Sequence, residues 1–481
     1  MPPEGLGMTG PDVRFERRIL DGFGRLLLSE HDLEAAAIAL EQALPRMNEA
    51  SGILSKHKVT TVAAQNVQLI VERARIAQEK ANLINTLLEV QLVPARAHRD
   101  LLELQVEEVA KATADAGLAW AQVTILKGFS NGRFYPSPYR RWMRDLDLFT
   151  ESWRDAHILV EKLLELGYSF DRAESPWVKA DEICGQAMYG QIFLVRPEGD
   201  DVARVDVHFG TYSIGYSGYL RAGFRDLAAT MQLPSGEVGV LKPEGCLVLA
   251  QAHALSDGYV AIKDVNDFVA IAASGERVDW ERVGRELRKH ELRPQAGLLA
   301  RHCLRLYDDA AVRRAGEALI KAIEPPRTTI WRTHDRSWRL RALVNTSFAY
   351  RWERRVKRAS HLHSSLTAVR CFLFYIRRLS LEVRKRTALE RLLYRLMPKP
   401  SLREWQLKPD ACTLLIDSEA VRSIALSNSA AKCPAGVSSP IEGIEYLEVG
   451  PYGCVRMNGR TYVPTLDLII EPDRAAKVPS D

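Results

Sequence analysis

Apolar and polar positions alternate with two different periods along the 481 residues, and the change of period marks out the chain. Helical spacing starts near Phe15. Ser29-Glu30-His31-Asp32 predicts a helix start ahead of Leu33 to Leu44, and Pro45 ends that helix. From Val62 to Val93 the residues Ile70, Ala74, Ala77, Ala81, Ile84 and Leu88 recur at steps of four and three, the core-facing stripe of an amphipathic helix. This stripe reads as a helical cap or a dimerisation surface, with Pro94 as its stop. Leu101 to Ala116 predicts another helix, closed by Gly117.

The period then falls to two. Ala121 to Leu126 predicts a strand, followed by a turn at Gly128 whose backbone N–H groups would face an anion at a following helix N-terminus. Asp145-Leu146-Asp147-Leu148-Phe149 alternates strictly, so both carboxylates point one way while Leu146 and Leu148 enter a core. Arg154 to Leu166 predicts a helix stopped by Gly167. Met188 to Val195 and Val202 to Phe209 predict a hairpin across Pro197 to Asp201. In the second of these strands Asp206 and His208 share a face opposite Val205, Val207 and Phe209. From Pro243 the helical spacing returns and holds to about Met397. Strands are predicted again at Cys412 to Ile416, Glu445 to Val449, Cys454 to Met457 and Thr461 to Ile470, with Asn458-Gly459 as a two-residue hairpin turn. The expected organisation is α+β with a mixed sheet: a helical region at 1–100, a core at 101–240, a helical region at 241–400 and a small β-rich domain at 401–481.

Composition adds little to this, being 46% hydrophobic and 26% charged. Residues 1–12 read as loose, and their pattern is not that of a signal peptide. No run of about 20 uncharged apolar residues predicts a transmembrane helix. The seven cysteines are scattered and show neither disulfide nor zinc spacing, which favours a reducing cytoplasm. Charge is more informative. Of the net +5, residues 327–399 carry +15, from 19 Lys/Arg against Asp335, Glu353, Glu382 and Glu390, which leaves −10 for the rest. Trp352, Phe374, Tyr375 and Tyr394 are interleaved with arginines there, including Arg384 to Arg386. That pattern suits a polyanionic partner, RNA or an acidic peptide. A helical face packed on the acidic remainder, or an anionic membrane surface, are the other readings.

Two carboxylates side by side repel each other unless a cation lies between them, and hard oxygen ligands suit Mg²⁺ or Mn²⁺. Asp206 is the best candidate for a third. Lys127, Arg140, Arg141 and Arg144 lie between the glycine turn and the acids; they are either surface charge or a triphosphate clamp, with Lys127 and Arg144 as the stronger contributors. Lys263 and Asp267 stand one helical turn apart, where they can pair. His253 reads as a core or capping residue.

The sequence from Leu101 to Trp280, with Lys127-Gly128-Phe129-Ser130, Arg144-Asp145-Leu146-Asp147-Leu148 and Asp206-Val207-His208 in that order, resembles the uncharacterised nucleotidyltransferase family of the DNA polymerase β-like nucleotidyltransferase superfamily. The resemblance implies a polymerase β-like core. It implies Gly128 and Ser130 as the phosphate turn, Asp145 and Asp147 as paired metal ligands, Asp206 as the third carboxylate, and a nucleotide-facing role for Lys263 and Asp267. His208 would orient Asp206, touch substrate, or serve only as a backbone-bonded histidine. The implied activity is Mg-dependent transfer of an NMP group from an NTP to an acceptor, with release of pyrophosphate. A non-catalytic binding protein of the same fold and a metal-dependent phosphohydrolase are the alternatives.

Overall fold

In a computed structural model of the chain, Ser29 does cap a helix, its Oγ accepting from the Asp32 amide at 3.2 Å. The structure describes residues 13–74, 78–170, 177–181, 186–198, 201–214, 218–220, 225–325 and 338–382, and five short strands between 413 and 465. The N-terminal helices are α1 (Val13–Phe23), α2 (Glu30–Ala43), α3 (Met47–Lys56), α4 (Thr60–Ala74) and α5 (Gln78–Asp115). Helix α5 corrects the expected break at Pro94, because it runs straight through that residue. Proline removes one backbone hydrogen bond and crowds the preceding turn, at about 3 kcal/mol. Several helical turns on either side, with the C-terminal ones anchored by buried Leu102, Val106, Val109 and Ala110, outweigh that local cost.

The sheet is built by β1 (Thr124–Ile125), β2 (Leu146–Thr150), β3 (Ser169–Phe170), β4 (Trp177–Asp181), β5 (Gln186–Glu198) and β6 (Asp201–Phe209). After a small hairpin of β7 (Tyr212–Ile214) and β8 (Gly218–Leu220) come β9 (Ala228–Leu233) and β10 (Gly236–Leu241). Between β1 and β2 lies the short helix α6 (Lys127–Gly132), and after β2 comes α7 (Trp153–Glu165), capped by Ser152. Six strands run in the order β5-β6-β2-β1-β10-β9, with β2/β6 and β1/β10 parallel and the other neighbours antiparallel. The β9–β10 hairpin is absent from the sequence reading, although Pro234-Ser235 between two apolar runs signals it. The first strand is also shorter than expected, because Trp120–Gln122 coil into a single 3₁₀ turn.

Pleating sorts the sheet residues as the alternation requires. Ile125, Leu146, Leu148, Val205, Val207, Phe209, Val238 and Val240 enter one apolar core under α5 and α7. The opposite face meets α8 (Pro243–Asp257) and α9 (Ile262–Ala273), followed by α10 (Trp280–Lys289), α11 (Arg293–Leu306) and α12 (Ala310–Ile323). A second core joins these helices to α1–α4. Asn266 ties the two helical groups, accepting from the Leu26 amide at 3.0 Å and donating to the Gly24 carbonyl at 3.0 Å. No helix among the described residues is long and apolar enough to cross a membrane.

Helices α13 (Trp338–Arg351) and α14 (His361–Glu382) carry the described part of the basic segment. Here the expected display of aromatics is corrected. Trp352 is fully buried, its ring stacked on His290 at 6.1 Å and edge-on to Tyr219 at 5.3 Å, and Tyr375 is buried too. These rings fill the core where the helices dock, so they offer no face to a base. Arg351 and Arg355 are engaged by the buried Glu291, at 3.5 and 3.2 Å. Arg384 to Arg386 and Tyr394 lie outside the described residues, as does the side chain of Phe374.

The C-terminal strands are β11 (Thr413–Asp417), β12 (Gly436–Ser438), β13 (Ile444–Val449), β14 (Tyr452–Met457) and β15 (Arg460–Thr465). Met457 pairs with Arg460, as a two-residue loop requires; Asn458 and Gly459 themselves lie outside the described residues.

Candidate active site

Strand β1 ends by pairing with β2, the Leu126 amide donating to the Asp147 carbonyl at 2.8 Å. The chain then turns at Lys127, whose φ of 42° lies in the left-handed region that non-glycine residues rarely occupy. This turn brings the Lys127 ammonium onto Asp147 Oδ1 at 2.5 Å, and His208 Nε2 lies 3.2 Å from the same oxygen. Burial works to lower the pKa of Lys127. The Asp147 carboxylate overrides that and, helped by Tyr212 and Asp145, holds its pKa well above the ordinary lysine value. Burial likewise works to raise the pKa of Asp147, but Lys127 and then His208 pull it well below the usual carboxylate range. The His208 ring, tilted on Tyr212 at 5.0 Å, is kept neutral by burial against the opposing pull of Asp147.

The parallel register of β2 and β6 sets Asp147 beside Asp206 and Phe149 beside His208. Asp206 therefore shares the face of Asp147. Its Oδ2 accepts from Gln191 Nε2 on β5 at 2.9 Å. His208 serves Asp147, not Asp206. Asp145 precedes β2 by one residue and is half-buried. Among the described residues, no three carboxylate, imidazole or thiol groups converge on one point as the side chains stand.

A cleft opens beside these groups. Lys127, Gly128, Arg144, Asp145 and Asp147 line it from the sheet side, Lys263 and Asp267 from α9, and Lys58 from the end of α3. The sequence reading thus reaches the cleft with seven of its ten site residues; Ser130, Asp206 and His208 are not part of its lining. Ser130 is fully buried, its hydroxyl donating to the Ile125 carbonyl at 2.6 Å and accepting from the Leu241 amide at 3.1 Å. It fastens β1 to β10, which uses the hydroxyl that a phosphate would need. Gly128 is small for a steric reason and not a torsional one: a Cβ there would meet Met143 Cγ at 2.7 Å and Arg141 Nη1 at 3.0 Å.

Lys263 and Asp267 do not pair, which corrects the expectation drawn from their spacing. Lys263 Nζ bonds Asp257 Oδ2 and His253 Nδ1, both at 3.3 Å. Asp267 is taken by Arg141 in a two-pronged ion pair, Nε to Oδ1 at 2.7 Å and Nη2 to Oδ2 at 2.9 Å. Asn131 and Tyr135 add hydrogen bonds at 2.7 and 2.8 Å. Burial would favour loss of the Arg141 proton, but Asp267 overrides it and raises the pKa. A planar guanidinium matches both carboxylate oxygens at once, which a lysine ammonium cannot do. Asp267 is thereby the anchor that fixes α6 and the 133–145 loop to α9.

Lys58 carries no sequence signal, and His253 reads by sequence as a core or capping residue; Asp264 belongs to the Lys263-Asp264-x-x-Asp267 helix, where the sequence leaves a surface ion-pair network and a substrate role both open. Asp264 lines the cleft with its pKa raised to about 7 by burial, while its Oδ2 accepts from the Ala261 amide at 2.8 Å.

A cleft lined by Lys58, Lys127, Arg144 and Lys263 together with Asp145 and Asp147 is suited to a phosphate-bearing ligand. No curated protein matches the chain. A family model described as "Uncharacterised nucleotidyltransferase" matches residues 52–308, more than half of the chain. That span exceeds the 101–280 stretch legible by eye and takes in Lys58 as well as the acids and α8–α11. The chain belongs to the uncharacterised nucleotidyltransferase family.

Proposed function

We propose that the protein transfers an NMP group from an NTP to an acceptor, releasing pyrophosphate, and that it does so with Mg²⁺ or Mn²⁺ bound. The observation that carries this reading is the register that sets Asp147 beside Asp206, with Asp145 two residues before Asp147 at the mouth of the same cleft. The donor set fits a hard divalent cation. Its members are carboxylate oxygens, and an ammonium already sits on Asp147 where positive charge is needed. Asp145, Asp147 and Asp206 would hold the metal, which when bound supplies charge for the attacking and leaving oxygens.

The protein's own groups supply the rest. Lys127, held protonated beside Asp147, turns from that carboxylate to a phosphate oxygen when the nucleotide is bound. Arg144, exposed at the rim, offers a forked donor to the triphosphate. His208 braces Asp147 from below and keeps its oxygen oriented while Lys127 moves. The acceptor side of the reading rests on charge alone: the +15 of residues 327–399 suits RNA or an acidic peptide.

The test is co-dependence. Calorimetry should register Mg·NTP binding that weakens at least about tenfold in EDTA, and α-labelled NTP should label an acceptor in cell extract with pyrophosphate released. Equal affinity with and without metal, or release of inorganic phosphate in place of pyrophosphate, would defeat the reading.

Gly128 gives a second check. Because a Cβ there drives Met143 and Arg141 off the turn, Gly128→Ala should weaken Mg·NTP binding by roughly tenfold and lower stability by about 1–3 kcal/mol, the usual range for overpacking. The structure thus couples two effects that the sequence alone would have separated. A variant with full affinity would show that the turn is packing and nothing more.

A further inference from the structure

His253 lies on α8, Asp257 one turn later at the end of that helix, and Lys263 in the first turn of α9. Lys263 Nζ stands 3.3 Å from His253 Nδ1 and 3.3 Å from Asp257 Oδ2, and His253 Nδ1 is itself 3.3 Å from that oxygen. An ammonium can only donate. A carboxylate can only accept, so Nδ1 either accepts from Lys263, which leaves the ring proton on Nε2, or donates to Asp257 Oδ2. A second proton would set an imidazolium against Lys263. That repulsion first, burial second, and then Lys127 and Lys58, against the pull of Asp257, hold the His253 pKa down to about 3. His253 is thus held neutral.

The ring lines the same cleft as Lys58, Lys127 and Arg144, its side chain is 29% exposed, and Nε2 has no partner among the described residues. With Nδ1 accepting from Lys263, the Nε2–H opens into the cleft that Lys58, Lys127 and Arg144 also line, and lacks an acceptor there. We propose that His253 Nε2–H binds an anionic phosphate oxygen in this cleft, making α8 and α9 a phosphate-holding wall that faces the ligand together with the carboxylate-bearing sheet. Asp257 and Lys263 act through His253: the lysine sets the tautomer, and the aspartate neutralises the lysine. Neutrality lets the donor approach a metal-bearing site without adding a further charge to repel the cation. This inference rests on the nucleotide reading for the identity of the ligand, but not for its anionic class.

The experiment uses the full chain and two probes, Mg·ATP and inorganic tripolyphosphate, measured by calorimetry. His253→Ala should weaken both by about tenfold or more, as expected for loss of a hydrogen bond to a charged group. His253→Gln, which keeps an N–H donor at similar reach, should restore most of the affinity. Histidine ¹⁵N spectra of the ligand-free protein should show a resonance with Nε2 protonated and Nδ1 bare, unchanged from pH 5 to 8 and missing in His253→Gln. An imidazole protonated on Nδ1, or one titrating near pH 6.5, would overturn the tautomer argument. If wild type binds both probes and His253→Ala binds them equally well, this inference fails while the nucleotide reading survives. Should wild type bind tripolyphosphate through His253 but not Mg·ATP, the anion site stands and the nucleotide reading fails.

Discussion

Asp145→Asn is expected to lower nucleotidyl transfer by at least about 10²–10³-fold, the scale seen when a charge-stabilising group is removed from a reacting centre, with the melting temperature held. Asp147→Asn should lose transfer equally and stability as well. The two acids alternate in sequence but not in environment. Asp145 is half-buried at the cleft mouth, whereas Asp147 is 4% exposed and holds Lys127 and His208. An amide at 147 leaves the Lys127 ammonium buried without a counter-charge, which costs about 3–5 kcal/mol in an enclosed pair and less here, where the lysine side chain is 20% exposed. The Asp147→Asn, Lys127→Met double variant should therefore recover much of the lost stability and none of the transfer. Thermal denaturation of the four proteins decides the matter. Stabilisation by both single changes would mean that mutual repulsion of the acids, and not the lysine pair, governs the site.

The acid dependence follows from the same pair. Asp147 has its folded pKa depressed, so its contribution is complete above the unfolded value of about 3.9 and is lost as pH falls toward the folded one. His208, also depressed, favours folding above about pH 6.5 and progressively less below it, because the unfolded chain takes up the proton first. Urea denaturation from pH 7 to 3 should show stability falling in both windows, and Asp147→Asn should flatten the lower one.

The parts of the site that were legible in sequence are those fixed by local period. Strict alternation around Leu146, Asp147 and Leu148, and around Val205, Asp206 and Val207, leaves only one arrangement in which the apolar partners share a core. The parallel register then sets Asp147 beside Asp206. Positions decided by competition between distant segments were not legible. The spacing of Lys263 and Asp267 says that they can reach each other, but not that Arg141, 126 residues away, makes a better partner for the acid. Ser130 looked like a phosphate ligand because its hydroxyl was not yet known to join β1 to β10. Trp352 looked available among arginines until helix docking buried it. His253 read only as a core or capping residue, because its contact with Lys263 comes from the next helix.

Asp267→Ala should produce the largest loss of stability among single changes in the site, on the order of 3–5 kcal/mol, because it orphans a buried guanidinium along with the hydrogen bonds of Asn131 and Tyr135. At roughly 2–4 °C per kcal/mol for domains of about 150–250 residues, the melting temperature should drop on the order of 10 °C. The loss cannot be repaired by an amide: Asp267→Asn keeps the shape but leaves Arg141 uncompensated, and one of its two polar atoms now donates where two acceptors are needed. Nucleotide binding should fall in parallel, since Arg141 and the loop that leads to Arg144 and Asp145 lose their tie to α9. Lys263→Ala is the contrast. Its partners Asp257 and His253 are each 29% exposed, so water can take its place and the melting temperature should move by only a few degrees. Differential scanning calorimetry on the three variants makes the comparison directly. If Lys263→Ala destabilised as much as Asp267→Ala, the Arg141–Asp267 pair would not be the anchor of the cleft.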